Sequence, residues 1–345
     1  MICRAKENPI LGKKDFPVLH EGFENIGAFN AGAALCGGET VLLVRVAERP
    51  VRREGRTLCP VFDPASGKTE VVGFTPEELR GNGDPRVLTV GGKRYLTSIS
   101  HLHVARSRDG VHFRADPAPL LQAQNEYETF GIEDARVARV EGRYYITFSA
   151  ASPLGSVVEL AVTDDFTTAR RVGVLFPPDN KDTALFDRKI GGRYYALHRP
   201  SCSCFAKPAI WLAESPDLRC FGMHRFVAGV RPGKWDGARI GAGAPPFLTE
   251  RGWVELYHGA AEDDRYCMGA LLLDRNEPWK VLARSGEPLA EPEAPYERRG
   301  FFGNVIFGCG LTREGDAVRL YYGASDESVA LLSMTVGDIF SHLGV

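Results

Sequence analysis

The chain has 345 residues, 44% of them hydrophobic and 25% charged, the balance of an ordinary globular protein and not of a disordered one. Lysine and arginine (42) nearly cancel aspartate and glutamate (44), for a formal net charge of −2, so a protein built around a basic nucleic-acid footprint is excluded. No apolar stretch approaches the roughly 18 residues that a transmembrane helix needs, and no membrane partner is expected.

The N-terminal MICRAKENPILGKKDF has no apolar core and no small-residue cleavage site, so a signal peptide is not expected. Cysteines stand at 3, 36, 59, 202, 204, 220, 267 and 309. None forms C-x-x-C or a zinc-like Cys/His spacing, and the one-residue gap between Cys202 and Cys204 suits neither a zinc knuckle nor an easy disulfide. Reduced thiols in a cytoplasmic protein are the expectation.

Short apolar runs punctuated by glycine and proline follow one another along the chain. AALCGGETVLLVRV (33–46) reads as strand, glycine turn, strand. Residues 47–83 fit this pattern poorly and read as an insertion or a long outer hairpin. The pattern resumes in RVLTVGGKRYLTSIS (86–100), ARVARVEGRYYITFSA (135–150), LFDRKIGGRYYALHR (185–199), FLTERGWVELYHG (247–259) and GLTREGDAVRLYYG (310–323). Between them HVARSRDGVHF (103–113), LAVTDDFTTARRVG (160–173) and IWLAESPDLRCFGMH (210–224) each end a strand in an aspartate turn. VGDIFSHLGV (336–345) reads as a short closing helix.

Repeats begin near Asn30, Asp84, Asp134, Asp182, Ala244 and Asn304, 48 to 62 residues apart. A period of that size with about four strands per unit marks an all-β fold of the β-propeller type, whose blades bury their faces against their neighbours. A pair of β-sandwiches is the alternative. No linker divides the chain, so 1–345 reads as a single propeller domain.

Polar residues recur in phase with these repeats. Asn30, Asp134, Asp182, Gly241–Ala242–Gly243 and Asn304 stand near the first strands, which line the channel of a propeller. Arg45, His198–Arg199, His258 and Asp326 end second strands, and Arg239 precedes the glycine pair. One such residue alone would be a turn cap or a salt bridge between blades; the whole set in phase argues for one shared site. Its cations (Arg45, Lys181, Arg199, Arg239, with His258) suit an anion such as phosphate. Its carboxylates (Glu133, Asp134, Asp182, Asp326) suit sugar hydroxyls and general-acid work. Tyr127, Phe130, Trp211, Trp235, Tyr257 and Phe302 are candidate stacking faces or plain core.

Other chemistry finds little support. Gly241-Ala-Gly-Ala-Pro-Pro246 cannot open a phosphate-cradling helix, because prolines follow its glycines. No G-x-S-x-G nucleophile elbow occurs. His101 and His103 share a strand face, but no further metal ligand accompanies them.

Taken in order, FGIEDARV (130–137), NKDTALFDRKIGGRYYALHRP (180–200), RIGAGAPPFLTERGWVELYHG (239–259), YERRGFFGNVIFGCG (296–310) and YYGASDES (321–328) resemble glycoside hydrolase family 130, which comprises β-mannoside phosphorylases and some β-mannosidases. The resemblance implies a five-bladed β-propeller with its site at the centre, one blade fewer than the repeat starts. It implies that Asp134, in Glu133-Asp134-Ala135-Arg136, is the general acid; alanine replaces the family's usual proline there. It implies that inorganic phosphate, a co-substrate and not a cofactor, is the nucleophile in the phosphorylases. Lys181, Arg199, Arg239 and His258 match the family's phosphate-binding positions, and Asn30, Arg45 and Asp326 match positions that hold the sugar, with Glu133, Asp182 and Tyr257 beside them. The expected activity is inverting phosphorolysis of a β-mannoside to α-mannose 1-phosphate, and the K-D-x-A-L-F and Y-E-x-x-G forms resemble the branch that acts on β-1,2 linkages. An inverting β-mannosidase with Asp182 or Glu133 as base is the alternative, and a propeller that only binds glycans is another. No metal or organic cofactor is implied, and a homo-oligomer is allowed.

Overall fold

The structure, a computed structural model, describes residues 1–51, 55–81, 84, 86–201 and 204–345. Cys202 and residues 52–54, 82 and 83 of the expected insertion lie outside these. Five antiparallel sheets succeed one another along the chain and form the blades of a β-propeller. Blade 1 consists of Phe23–Cys36, Glu39–Pro50, Ile99–Ser107 and Arg114–Leu121. Blade 2 is Ile132–Val140, Arg143–Ser152, Gly155–Thr163 and Arg170–Phe176. Blade 3 is Asn180–Leu185, Tyr194–Pro200, Ile210–Ser215 and Gly222–Ala228. In blade 4 the inner edge is broken into Arg239–Gly241 and Phe247–Leu248, followed by Trp253–Ala260, Tyr266–Leu273 and Val281–Arg284. Blade 5 holds Ile306–Glu314, Ala317–Ala324 and Ser328–Thr335. Its outer strand is supplied from the N-terminus: Cys3–Arg4 pairs with Ser333 and Leu332, which closes the ring.

The hairpins follow from local chemistry. Cys36 faces Glu39 across Gly37 and Gly38, whose φ values are 60° and 80°. Two positive φ angles define the turn whose twist matches that of the flanking strands. Val140 faces Arg143 across Glu141 and Gly142 in the same way. The closing helix Val336–Leu343 is begun by a capping box. Thr335 Oγ1 accepts from the Asp338 amide at 3.0 Å, and Asp338 accepts from the Thr335 amide at 2.9 Å, which satisfies amides that lack helical partners.

Each junction between neighbouring blades has its own apolar core. Leu43, Leu102 and Ile132 meet between blades 1 and 2, and Leu160, Leu185 and Ala196 between blades 2 and 3. Leu197, Ile240 and Trp253 fill the next junction, Leu256, Ile306 and Leu320 the one after. Val44, Tyr321 and Leu331 close the ring between blades 5 and 1. A fully buried leucine or isoleucine contributes about 1.5–3 kcal/mol, so the ring is held by the sum of five such layers.

Six repeat starts correspond to five blades because blade 1 is interrupted. Glu39–Pro50 pairs directly with Ile99–Ser107, from Thr40 with Ser107 to Glu48 with Ile99. Between them the chain leaves the sheet and forms two separate hairpins, Thr57–Asp63 with Lys68–Phe74 and Val87–Val90 with Lys93–Leu96. Asp84 therefore stands ahead of an outer hairpin and starts no blade. The described residues of the excursion fall between 51 and 98, whereas 47–83 was expected: residues 47–50 belong to blade 1, and the apparent repeat at 86–100 belongs mostly to the excursion.

Candidate active site

The inner strands of blades 1, 2 and 3 share one irregularity. Two residues oppose one between the pairs Phe29–Arg45 and Gly32–Leu43. The same excess lies between Glu133–Ser149 and Arg136–Thr147, and between Lys181–Arg199 and Ala184–Leu197. The first extra residue in each case is Asn30, Asp134 or Asp182, with φ of 49°, 57° and 54°. Asparagine and aspartate enter this left-handed region more readily than other side-chain-bearing residues. A bulge also re-aims a side chain that strict alternation would place elsewhere. Three of the polar residues that recur in the sequence are these bulge residues, and all three line one central cavity of about 1020 Å³.

Around Asp134 the cavity wall is a network of opposite charges. Asn30 Nδ2 and Arg45 Nη1 donate to Asp134 Oδ1 at 2.9 and 3.1 Å. Arg45 also reaches Glu133 Oε2 at 2.7 Å and Ser100 Oγ at 3.0 Å. Lys181 Nζ donates to Glu133 Oε1 at 3.2 Å. Burial alone would raise the Glu133 pKa, but Arg45 and Lys181 outweigh it and hold the carboxyl down at about 2. Glu133 in turn raises the pKa of Lys181 and keeps it charged. Asp326 is treated oppositely: burial, with the nearby charges of Asp134 and Glu133, pushes it up to about 6 against the pull of Arg45.

A second cluster is centred on Asp182. Its Oδ1 accepts from Arg136 Nη2 at 3.1 Å, and its Oδ2 lies 2.8 Å from Arg199 Nη1 and 3.3 Å from His258 Nε2. Burial opposes ionisation, but Arg199, His258 and Arg136 hold the Asp182 carboxyl well below the usual range. Burial pushes His258 down to about 4 despite Asp182, so near neutral pH the ring is uncharged. The Gly-Ala-Gly run is explained here by space. A Cβ on Gly241 would stand 2.4 Å from Asp182 Oδ2 and 2.6 Å from His258 Cε1, and one on Gly243 would stand 2.0 Å from the Leu256 carbonyl oxygen.

Of the residues expected from sequence, Asn30, Arg45, Glu133, Asp134, Lys181, Asp182, Arg199 and Asp326 all line the cavity. His258 sits fully buried behind Asp182 and Arg199. Arg239 is not brought to the cavity surface: it pairs with Asp264 and lies over the Tyr266 ring, 4.9 Å from its centroid. Tyr257 is not a sugar contact in this fold. It is wholly buried, stacks on Trp235 and donates to Asp236 Oδ2 at 2.8 Å. Trp211 packs edge-on against Phe226, and Tyr127 joins the core between blades 1 and 2. Phe130 and Phe302 do line the cavity, the latter under the Arg86 guanidinium at 3.9 Å. Asn304 is exposed ahead of blade 5. His101 and His103 are neighbours, but among the described residues no group of three or more His, Cys, Asp and Glu is arranged to hold a metal.

Sequence reasoning missed three contributors. Arg136 follows the acid in the motif but was given no role. Ser100 carried no signal beyond lying in a strand. The outer hairpin supplies Arg86, Arg94 and Tyr95 to the cavity wall; its turn residues say where it folds back, not what it faces.

The family model described as beta-1,4-mannooligosaccharide phosphorylase matches residues 94–343. The chain belongs to glycoside hydrolase family 130. Like the other phosphorylases of family 130, it is an enzyme. A beta-1,2-mannobiose phosphorylase from Listeria innocua is 47% identical over 350 residues, covering 100% of this chain and 99% of that protein. Its solved structure with beta-1,2-mannobiose superposes with a TM-score of 0.97 over 99% of both chains. A 1,2-beta-oligomannan phosphorylase from Thermoanaerobacter sp. (strain X514) is 35% identical over 249 residues, or 71% of this chain and 82% of that protein. The fold is also shared, with a TM-score of 0.76 at 20% identity over 98% of this chain and 94% of the other, by a structure described with family 130 glycoside hydrolases that target beta-1,2 mannosidic linkages in Candida mannan. The propeller by itself therefore does not separate phosphorolysis from hydrolysis.

Proposed function

We propose that this enzyme is an inverting β-mannoside phosphorylase that cleaves a β-1,2-linked mannoside with inorganic phosphate and releases α-mannose 1-phosphate. The observation that carries this reading is the state of the carboxylates. Hydrolysis by inversion needs a carboxylate free to activate water. Glu133 is bound by Arg45 and Lys181, and Asp182 by Arg136 and Arg199 with His258 beside it. Neither is free to act as a base. Lys181 and Arg199 line the same cavity, and cations there suit a phosphate nucleophile that needs no base.

In this mechanism the sugar is held among Asn30, Arg45 and Asp326. Phosphate enters beside Lys181 and Arg199, which orient it and offset its charge. The bond between the anomeric carbon and the bridging oxygen breaks as the phosphate oxygen bonds to that carbon from the opposite face. Asp134 supplies the proton that ends on the departing oxygen; with Oδ1 occupied by Asn30 and Arg45, Oδ2 carries it. His258, neutral and 3.3 Å from Asp182 Oδ2, packs behind the Asp182–Arg199 pair and keeps it in place. The 47% identity to a beta-1,2-mannobiose phosphorylase supports the linkage.

The test is to supply β-1,2- and β-1,4-mannobiose separately in phosphate buffer and follow the anomeric proton signals. α-Mannose 1-phosphate should accumulate from the β-1,2 disaccharide at least about tenfold faster, a difference of the size one altered contact gives. Faster turnover of the β-1,4 isomer would overturn the linkage, and the β anomer as first product would overturn inversion.

A further inference from the structure

Arg136 belongs to the Glu133-Asp134-Ala135-Arg136 string, yet the reaction described above gives it no part. It is 2% exposed and lies behind the cavity wall. Its guanidinium makes four hydrogen bonds. Nη1 donates to the Asp134 carbonyl at 2.8 Å, Nη2 to Asp182 Oδ1 and the Ala242 carbonyl at 3.1 Å each, and Nε to the Gly243 carbonyl at 3.2 Å. Those partners come from blades 2, 3 and 4. The rest of the junctions between these blades is filled mainly by apolar side chains. A buried charge that only held blades together would be a costly replacement for such packing.

We infer that Arg136 is a positioning residue that fixes the Asp182–Arg199 anion seat relative to the Asp134 bulge, acting through the Asp182 carboxylate and the Asp134 carbonyl. The inference rests on the phosphorolytic reading of this cavity. Its physical basis is the division of Asp182 between two arginines. Arg136 takes Oδ1, so Arg199 is confined to Oδ2 and its remaining N–H groups stay available to an anion. Without Arg136 both carboxylate oxygens compete for Arg199 and turn its fork away from phosphate. A lysine keeps the charge but cannot direct N–H groups at four acceptors spread over three blades.

The surroundings keep Arg136 aimed at Asp182. Gly243, whose carbonyl takes Nε, donates its own amide to Glu255 Oε1 at 2.7 Å. Glu255 is wholly buried, and burial pushes its pKa up to about 8. Its neutral carboxyl seats the Gly243 peptide without offering Arg136 a competing anion.

The test uses Arg136→Lys, with inorganic phosphate and β-1,2-mannobiose titrated separately by calorimetry and kcat measured in phosphorolysis. Phosphate affinity should fall about tenfold and kcat about a hundredfold, while mannobiose affinity stays within about threefold of wild type. A folded Arg136→Lys enzyme with phosphate affinity and kcat within about twofold of wild type would overturn the inference. Should that variant not fold, the wild-type protein decides: the slowly exchanging Arg136 Nε–H resonance must shift as phosphate is added, although the residue is out of contact with solvent. An unmoved resonance reduces Arg136 to a structural tie. Wild-type protein that takes up no phosphate at all would instead refute the phosphorolytic reading, and this inference with it.

Discussion

Asp134 and Glu133 are adjacent in sequence and opposite in employment. Asn30 and Arg45 both donate to Asp134 Oδ1, leaving the other oxygen for proton transfer. Asp134→Asn preserves shape and removes the proton, so kcat should fall about a thousandfold while mannobiose affinity by calorimetry changes little; a large loss of affinity with kcat intact would contradict the assignment. Glu133 is an anchor whose pKa is held at about 2 against an ordinary 4.5. A carboxyl with a lowered folded pKa adds stability above its unfolded pKa and loses it as pH falls through the folded value. Glu133→Gln should therefore melt below wild type at pH 7, and the gap should narrow as pH drops from about 4.5 toward about 2. A gap that is constant over that window would mean the ion pairs contribute nothing. Much of this was legible in the sequence, because asparagine and aspartate recurring in phase with strands is an unusual pattern. The partners were not: Arg239 counts as a phosphate ligand by motif, yet Asp264 and Tyr266 take its guanidinium, a pairing that only the fold brings about.

At the scale of an element, the broken inner edge of blade 4 has no room for added side chains. Gly241 has a β-strand partner in His258, and its missing side chain makes room for Asp182 and the His258 ring. Gly241→Ala would force those groups apart while leaving the apolar cores untouched. Turnover should drop by about a hundredfold, the cost of displacing catalytic geometry by roughly an ångström, with a cooperative melt retained. Wild-type activity in Gly241→Ala would show that the Asp182 cluster tolerates movement. The hairpins were readable because a two-residue turn has few solutions, and glycine pairs or glutamate–glycine advertise them. The bulges were not readable as bulges. A strand with one extra residue differs from a regular one only in its pairing, and pairing is a property of two segments.

For the whole molecule the decisive feature is closure. The strand Cys3–Arg4 completes blade 5, and Arg4 clamps it there: Nε donates to Glu297 Oε1 at 2.8 Å and Nη2 to the Glu291 carbonyl at 2.8 Å. Glu297 is fully buried and also accepts from the Tyr322 hydroxyl at 2.6 Å. Arg4→Ala leaves that carboxylate short of its cation and should cost about 1–3 kcal/mol in urea unfolding; no change would show that the ring closes without the clamp. The repeat period implied six units, and the fold has five because an excursion interrupts blade 1 with hairpins of the same composition as the blades. Sequence periodicity counts hairpins, whereas pairing of Glu39–Pro50 with Ile99–Ser107 decides which of them form one sheet. The same excursion walls the cavity that holds the cations Lys181 and Arg199. Phosphorolysis in that cavity is tested most directly with β-1,2-mannobiose incubated with and without inorganic phosphate, mannose 1-phosphate and free mannose being assayed separately. Mannose 1-phosphate formed only when phosphate is present, with little free mannose, is the predicted result. Free mannose released at equal rates in both incubations would contradict it and make the enzyme a hydrolase.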